Sequence, residues 1–477
     1  VFHDAMLYSM QAAHVLDGQR LADDLFFFGG SQTNLSLFPR VHALALREFG
    51  LEVTTWSGFL LVRVAYFVVV VWFVWTWLPP ALRIPGLLGV FAVGSVYGPG
   101  ANFGFAESAF TARPVGEIFT IAAITLWGRQ RRKLAAMVAI VGATMHPIMG
   151  GVGVIILSML FAAEPDGPLA RVRAGGWQLK LLAGGIICIG LVVTIIAPRM
   201  DADWVTALGD VNVFAFLTHW NLADYLNLLR QLFVAAIAGR VLRDEVPGLV
   251  SLLTCVVVAT VAADCAHLVF ADLLKVALPT ALQLWRTQVV LAFLVAVLIA
   301  PVIFRLVTRD SLSQLTGLLL LTSYFFSAFG AAQLLMTLGT WLLILPATRD
   351  AVAPIKWFPL TGRALAIVLA VAGSANAVAM TIELEPYSRV LSTHWFVQIP
   401  AFTVLAVAVA VQIGICPEAL LRLPVRATAV VFLAVAISLV DLRSPLSRLY
   451  ERDHDQPSKL LPRVVTHNPG LVYWLGP

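Results

Sequence analysis

The stretch Val115-Gly-Glu-Ile-Phe-Thr-Ile-Ala-Ala-Ile-Thr-Leu-Trp127, Gly128, Arg129-Gln-Arg-Arg-Lys133, Leu134-Ala-Ala-Met-Val-Ala-Ile-Val-Gly-Ala-Thr-Met145 sets two apolar runs around four positive charges in five residues. Lys and Arg resist translocation across a bilayer, so a basic loop between two apolar runs belongs on the cytoplasmic side of a membrane. Apolar runs of roughly 15 to 25 residues recur from Leu60 to Val440, separated by short clusters that contain Arg. Of the 477 residues, 60% are hydrophobic and 12% charged, against about 45–50% apolar and about 25% charged in an average soluble domain. A soluble globule is excluded, and with it a disordered or collagen-like chain. The formal charge of +5, from 32 basic and 27 acidic residues, is ordinary for a membrane protein and gives no reason to expect a nucleic-acid partner. Cys188, Cys255, Cys265 and Cys416 have no paired spacing, so neither a disulfide framework nor a zinc cluster is expected.

Further basic connections carry Arg171 with Arg173, Arg240 with Arg243, Arg305 with Arg309, Arg349 with Lys356, and Arg422 with Arg426. An even number of crossings must separate them. The apolar runs that satisfy this lie at 56–77, 82–97, 115–127, 134–145, 148–161, 179–197, 225–238, 248–266, 285–303, 315–329, 331–345, 364–381, 395–415 and 428–440. The pairs meeting at His146-Pro147 and near Gly330 also fit single kinked or re-entrant helices. The expected fold is therefore all-α, a polytopic transmembrane bundle of about 12–14 spans. Its first 52 residues are too polar for a signal peptide. A further span ahead of Val1, or a processed start, is expected.

Three regions follow: an external loop at 1–55, a transmembrane helical domain at 56–441, and an external tail at 442–477. Segments 98–114 and 198–224 join the two terminal regions on the external side. Within the first region, 5–16 and 35–49 are amphipathic. Leu35, Phe38, Val41, Leu44 and Ala45 recur at three- and four-residue spacing while Arg40, Arg47 and Glu48 point elsewhere. Such a helix lies in the membrane interface. The stretch around Trp204 and Trp220 reads the same way.

The residues that carry chemistry gather in those external pieces. On a helix Asp4 and Tyr8 share a face, putting a carboxylate and a phenol together at the membrane surface with His3 beside them. That carboxylate suits a general base or a ligand for a hard divalent cation, Mg or Mn; an ordinary solvated helix face fits the same residues. Asp23-Asp24 precede the aromatic run Leu25-Phe-Phe-Phe-Gly-Gly30, from which a loop carboxylate such as Asp24 can also reach a cation. In 97–117, Gly98, Pro99, Gly100 and Gly104 break regular structure, and Glu107, Arg113 and Glu117 gather at the outer mouth of the next helix. Charges at that depth are costly unless paired or set in a wet cavity. His146 falls at a break that faces the same side. Asp264, His267 and Asp272 lie close to one helical face near the outer surface, with Arg286 following, and His267 with Arg286 suits a phosphate clamp.

A polytopic chain whose first external loop begins with an Asp, continues as interfacial helices and leads into short, broken spans resembles the GT-C class of membrane glycosyltransferases. More narrowly, Gly104-Phe-Ala-Glu-Ser-Ala-Phe-Thr-Ala-Arg-Pro-Val-Gly-Glu117, Met145-His-Pro-Ile-Met-Gly-Gly151 and Asn468-Pro-Gly-Leu-Val-Tyr-Trp474 resemble a family of uncharacterised bacterial polytopic membrane proteins. The resemblance implies a polyprenyl-phosphate-linked sugar as donor and a glycan, lipid or protein as acceptor, joined at the external face of a bacterial inner membrane. It implies Asp4, with Glu107, as catalytic, and Tyr8, Asp24, Arg113, Glu117, His146, His267 and Arg286 as substrate-binding. The chain departs from the class in having no DxD in its first loop and only a short external tail. A transporter or lipid flippase shares the span count, and a non-catalytic scaffold the composition. The gathering of charges at one surface, rather than at mid-membrane, favours the transferase.

Overall fold

The computed structural model describes residues 3–18, 35–93, 96–99, 103–104, 110–164, 198–212, 214–325, 330–352 and 354–355, with single positions at 364 and 409. The expected spans at 179–197, 364–381, 395–415 and 428–440, and the tail at 442–477, lie outside the described residues, those single positions apart.

Helix α1 is His3–Leu16 and α2 is Phe38–Trp77. Gly50 breaks α2 with a backbone no helix adopts (φ 74°, ψ 170°). The amphipathic helix and the first span expected from sequence are thus two rods joined at a glycine. Before the break Phe38, His42 and Ala43 face protein, while Val41 and Leu44 are exposed. Then come α3 (Pro80–Ala92), a two-residue antiparallel ladder of β1 (Val96–Tyr97) and β2 (Phe103–Gly104), α4 (Ala112–Gly128), α5 (Arg132–Met145) and α6 (Pro147–Ala163). The second half holds α7 (Ala202–Val211), α8 (Leu222–Val241), α9 (Pro247–His267, running on through a π turn to Leu273), α10 (Ala277–Leu282), α11 (Gln288–Val307), α12 (Ser311–Phe325), α13 (Gly330–Ile344) and α14 (Pro346–Val352).

Three helical stretches are long and apolar enough to cross a membrane: Phe38–Trp77, Pro247–Leu273 and Ala277–Val307. A fourth is added if α13 and α14, bent by 86°, count as one. The chain is a helical integral membrane protein. The expected 12–14 spans are not reached among the described residues, since four of the expected runs lie outside them and several others form helices shorter than a full crossing. At 1.5 Å per residue, the 17 residues of α4 cover about 26 Å of a hydrocarbon core about 30 Å thick. Apolar composition alone does not separate a crossing from a buried helix.

His146-Pro147 is the tip of a hairpin. Helices α5 and α6 fold back on each other so closely that a side chain at Gly150 would lie 2.1 Å from the Gly142 carbonyl carbon. At the open end Arg132 and Glu164 pair at 2.5 Å. Both helices pack on α4. Helix α11 runs through the centre, with 89% of its most apolar window buried against 39% for α9, as expected of a helix apolar all round. Helices α3, α8 and α12 surround it. Leu60, Leu61, Val68, Met137, Ile140 and Val258 on the outer helices are exposed, the surface lipid would cover.

Contacts at the helix ends define two poles. At one, Arg129 donates to Thr76 (3.2 Å), Arg305 pairs with Glu245 (2.7 Å) and Arg349 with Asp310. This basic pole holds the Arg129–Lys133 loop. The opposite pole holds the start of α4, the hairpin tip, the end of α9, the start of α11 and the β ladder.

Candidate functional site

At that second pole the short ladder aligns Tyr97 with Phe103, and their rings stack at 5.8 Å. Gly98 follows with φ 72°, a left-handed turn that no side chain could enter, since a Cβ would meet the Trp285 ring at 2.6 Å. The Gly-Pro-Gly cluster that reads as a chain break in sequence is therefore also a close packing point against the start of α11.

The fully buried Tyr97 hydroxyl donates to Glu117 Oε1 at 3.0 Å and lies 4.0 Å from Met149 Sδ. Glu117 is 2% exposed, and among the described residues its second oxygen, Oε2, has no hydrogen-bond partner. Arg113, one turn earlier on α4, and Arg286 both act on it electrostatically. The two guanidinium groups lie over the Phe103 ring, 4.9 Å and 4.4 Å from its centre. Arg286 is oriented by Gln283, whose Oε1 accepts from Arg286 Nε at 2.6 Å. Gln283 itself takes a left-handed backbone (φ 46°), a conformation costly for a residue with a side chain and concentrated at functional sites. His146 joins from the hairpin tip. It caps α6 by accepting the Met149 N–H on Nδ1 at 3.0 Å, and the charges of Arg286 and Arg113 both reach it.

Arg113, Glu117, His146 and Arg286 thus share one electrostatic cluster. Helix α1 lies at the same pole: the Tyr8 ring meets Phe38 edge-on at 5.3 Å, in an apolar cluster with Ala112, the neighbour of Arg113. Asp4 is one turn earlier on α1. Asp24 and Glu107 lie outside the described residues. Among the described residues no group of three His, Cys, Asp or Glu could hold a metal ion.

His267 departs from the expected surface clamp with Arg286. It is fully enclosed, its Nε2 is 3.0 Å from the Ala215 carbonyl, and the Asp272 carboxylate is 4.0 Å away. Asp272 in turn accepts from the Leu217 and Thr218 N–H groups and the Thr218 hydroxyl. These residues fasten the 214–218 loop, whose Phe214 carbonyl accepts from Trp285 Nε1 (3.0 Å) and whose Phe214 ring meets Phe103 at 5.1 Å. The reason is tertiary: the 214–218 loop closes over the end of α9 and meets His267 on the helix and Asp272 in the π turn that follows it. Asp264 is likewise held by Gln288 Nε2 at 3.1 Å.

Sequence reading missed Tyr97, Phe103 and Gln283. The aromatic pair flanking Gly98-Pro-Gly100 was the available signal; Gln283 had none. Two guanidiniums, a carboxylate, a phenol and an imidazole converging at the edge of a membrane protein can bind an anion and hold an acceptor by hydrogen bonds. Comparison with protein-family models, with curated proteins and with solved structures finds no match.

Proposed function

We propose that the chain is a membrane glycosyltransferase that moves a sugar from a polyprenyl-phosphate donor to an acceptor at the face opposite its basic loops. The observation that supports this most is the pairing of Arg113 and Arg286 around Phe103, beside Glu117, at a single pole. A lipid phosphate entering sideways from the bilayer meets both guanidiniums, which neutralise the charge that grows on it as it leaves. Tyr97 and Glu117 set the spacing of that clamp, and His146 lines its other side. Asp4, on the helix that packs beside Ala112, is the base. It takes the proton of the acceptor hydroxyl, the freed oxygen bonds to the anomeric carbon, and the bond from that carbon to the phosphate oxygen breaks, its electron pair leaving with the lipid phosphate. Lipid phosphate is already a competent leaving group, so positioning and charge neutralisation carry most of the work. Glu107 and Asp24 assist the acceptor or a divalent cation. The positive-inside rule supports a clamp on the side away from the cytoplasm, which in this reading is the periplasmic side of a bacterial inner membrane.

The test uses purified protein in lipid nanodiscs, offered a panel of polyprenyl-phosphate sugars with radiolabelled sugar. Arg286→Ala and Asp4→Asn are each expected to lower transfer by about 100-fold or more, with unfolding profiles kept near wild type. Wild-type turnover in Arg286→Ala would remove the clamp, and in Asp4→Asn would remove the base. Label that crosses the bilayer unchanged, without transfer, would favour a transporter or flippase.

A further inference from the structure

Asp264 is the only acidic residue between Pro247 and His267 of α9, a helix long and apolar enough to cross a membrane, and the site described above does not use it. Both its carboxylate oxygens accept from Gln288 Nε2, at 3.1 and 3.3 Å, and Gln288 is buried at the start of α11. Among the described residues no cation pairs with Asp264. Arg113 and Arg286, whose charges reach Glu117 and His146, do not act on it. A carboxylate inside a membrane helix is costly without a counter-charge and marks an ion or ligand site by default.

Thr260, one turn earlier on the buried face of α9, is fully enclosed, and its hydroxyl has no hydrogen-bond partner among the described residues. Thr254 on the same helix instead donates to the Val250 carbonyl at 2.9 Å. Helical side chains lean toward the start of their helix, so Asp264 leans over Thr260. The Gln288 amide, turned end for end, fills the same space and presents Oε1 in place of Nε2. That oxygen would stand 3.1 and 3.3 Å from the two carboxylate oxygens, the spacing of neighbouring ligands about 2.4 Å from one hard cation.

The depth suits an ion that arrives from outside. Pro247 follows Glu245, which pairs with Arg305 at the basic pole, and Asp264 lies about 26 Å further along the axis. It is therefore near the far edge of a hydrocarbon core about 30 Å thick. Asp264 is partly exposed, beside the exposed Val261 and Leu268, while Thr260 is deeper and enclosed, so the occupant is small. One carboxylate among neutral oxygens balances a single positive charge, whereas sites for divalent cations draw on several acidic groups.

We propose that Asp264, Thr260 and Gln288 hold a sodium ion between α9 and the start of α11. The site stands apart from the Arg113 and Arg286 clamp and does not depend on the transferase reading.

Binding of radioactive sodium to the purified protein in lipid nanodiscs reads the site directly, with choline replacing sodium at constant ionic strength. Wild type is expected to take up one sodium ion per chain and to melt at a higher temperature in sodium than in choline. Asp264→Asn should lose saturable binding and the melting shift together. Thr260→Val, which keeps the shape of the side chain, should weaken binding about tenfold or more, and Thr260→Ser should bind as wild type does. Melting of each variant in choline separates lost binding from lost fold. Wild type that takes up no sodium and melts alike in both salts would overturn the site without any variant. Undiminished binding in Asp264→Asn or Thr260→Val would place the ion elsewhere and overturn it too. Displacement of the label by equal calcium would overturn the monovalent assignment, and by equal potassium the preference for sodium.

Discussion

Tyr97 and Glu117 are joined by one hydrogen bond of 3.0 Å, both enclosed by protein, and it ties the two-residue ladder to the first turns of α4. The phenol gives the buried carboxylate one of its few donors. Replacing it leaves Glu117 Oε1 desolvated without that compensation, so Tyr97→Phe is expected to lower stability by about 1–3 kcal/mol. Denaturant melts of the detergent-solubilised protein measure this; a melt identical to wild type would show that the hydroxyl contributes nothing.

Gly98 combines a positive φ with a Trp285 ring 2.6 Å from where a side chain would begin. Gly98→Ala is expected to cost about 1–3 kcal/mol and to push Trp285 away from Phe214. Tryptophan emission, which responds to loss of the Trp285 hydrogen bond, should shift together with the fall in melting temperature.

The hairpin of α5 and α6 offers a contrast between packing and charge. Gly150→Val drives two methyl groups into the Gly142 backbone and is expected to destabilise by about 1–3 kcal/mol or more. Arg132→Ala removes the partly exposed pair with Glu164, the 2.8 Å bond from Nη1 to the Trp127 carbonyl and the guanidinium's contact with the Trp127 ring, and should cost less than Gly150→Val, about 1–2 kcal/mol. Thermal unfolding of the two variants side by side ranks them, and the reverse order would mean that the Arg132 contacts, rather than the glycine packing, hold the hairpin closed.

Asp310 precedes α12 outside the membrane helices. Burial raises its carboxyl, but the Ser313 backbone N–H, the Arg349 guanidinium and the Ser313 hydroxyl outweigh that and hold it at about 2. A folded-state value below the ordinary 3.8 stabilises the fold above pH 4, and that contribution fades as pH falls toward 2. The melting temperature of wild type should therefore exceed that of Asp310→Asn at neutral pH and approach it between pH 4 and 2. A gap independent of pH across that window would rule the carboxylate out as the source.

Local features were legible because they depend on neighbours in the chain. The Gly50 break sits where an amphipathic pattern gives way to an apolar run, and the turn at His146-Pro147 follows from a proline after a helix. That Arg113, Glu117, His146 and Arg286 act on one another is an observation of the tertiary structure. Span count was less legible, since composition reads the same in a crossing and in a short packed helix such as α5. The enclosure of His267 was not legible, because it is made by the 214–218 loop, some fifty residues away in the chain.

What the residues settle unaided is the solvent of the fold, because bilayer partitioning acts on every residue separately. Partnership needed the tertiary structure. Arg113 and Arg286 meet at Phe103 only because helices distant in sequence turn particular faces to each other. Which faces meet is decided by close packing around α11, a property of the assembled bundle that no single segment carries.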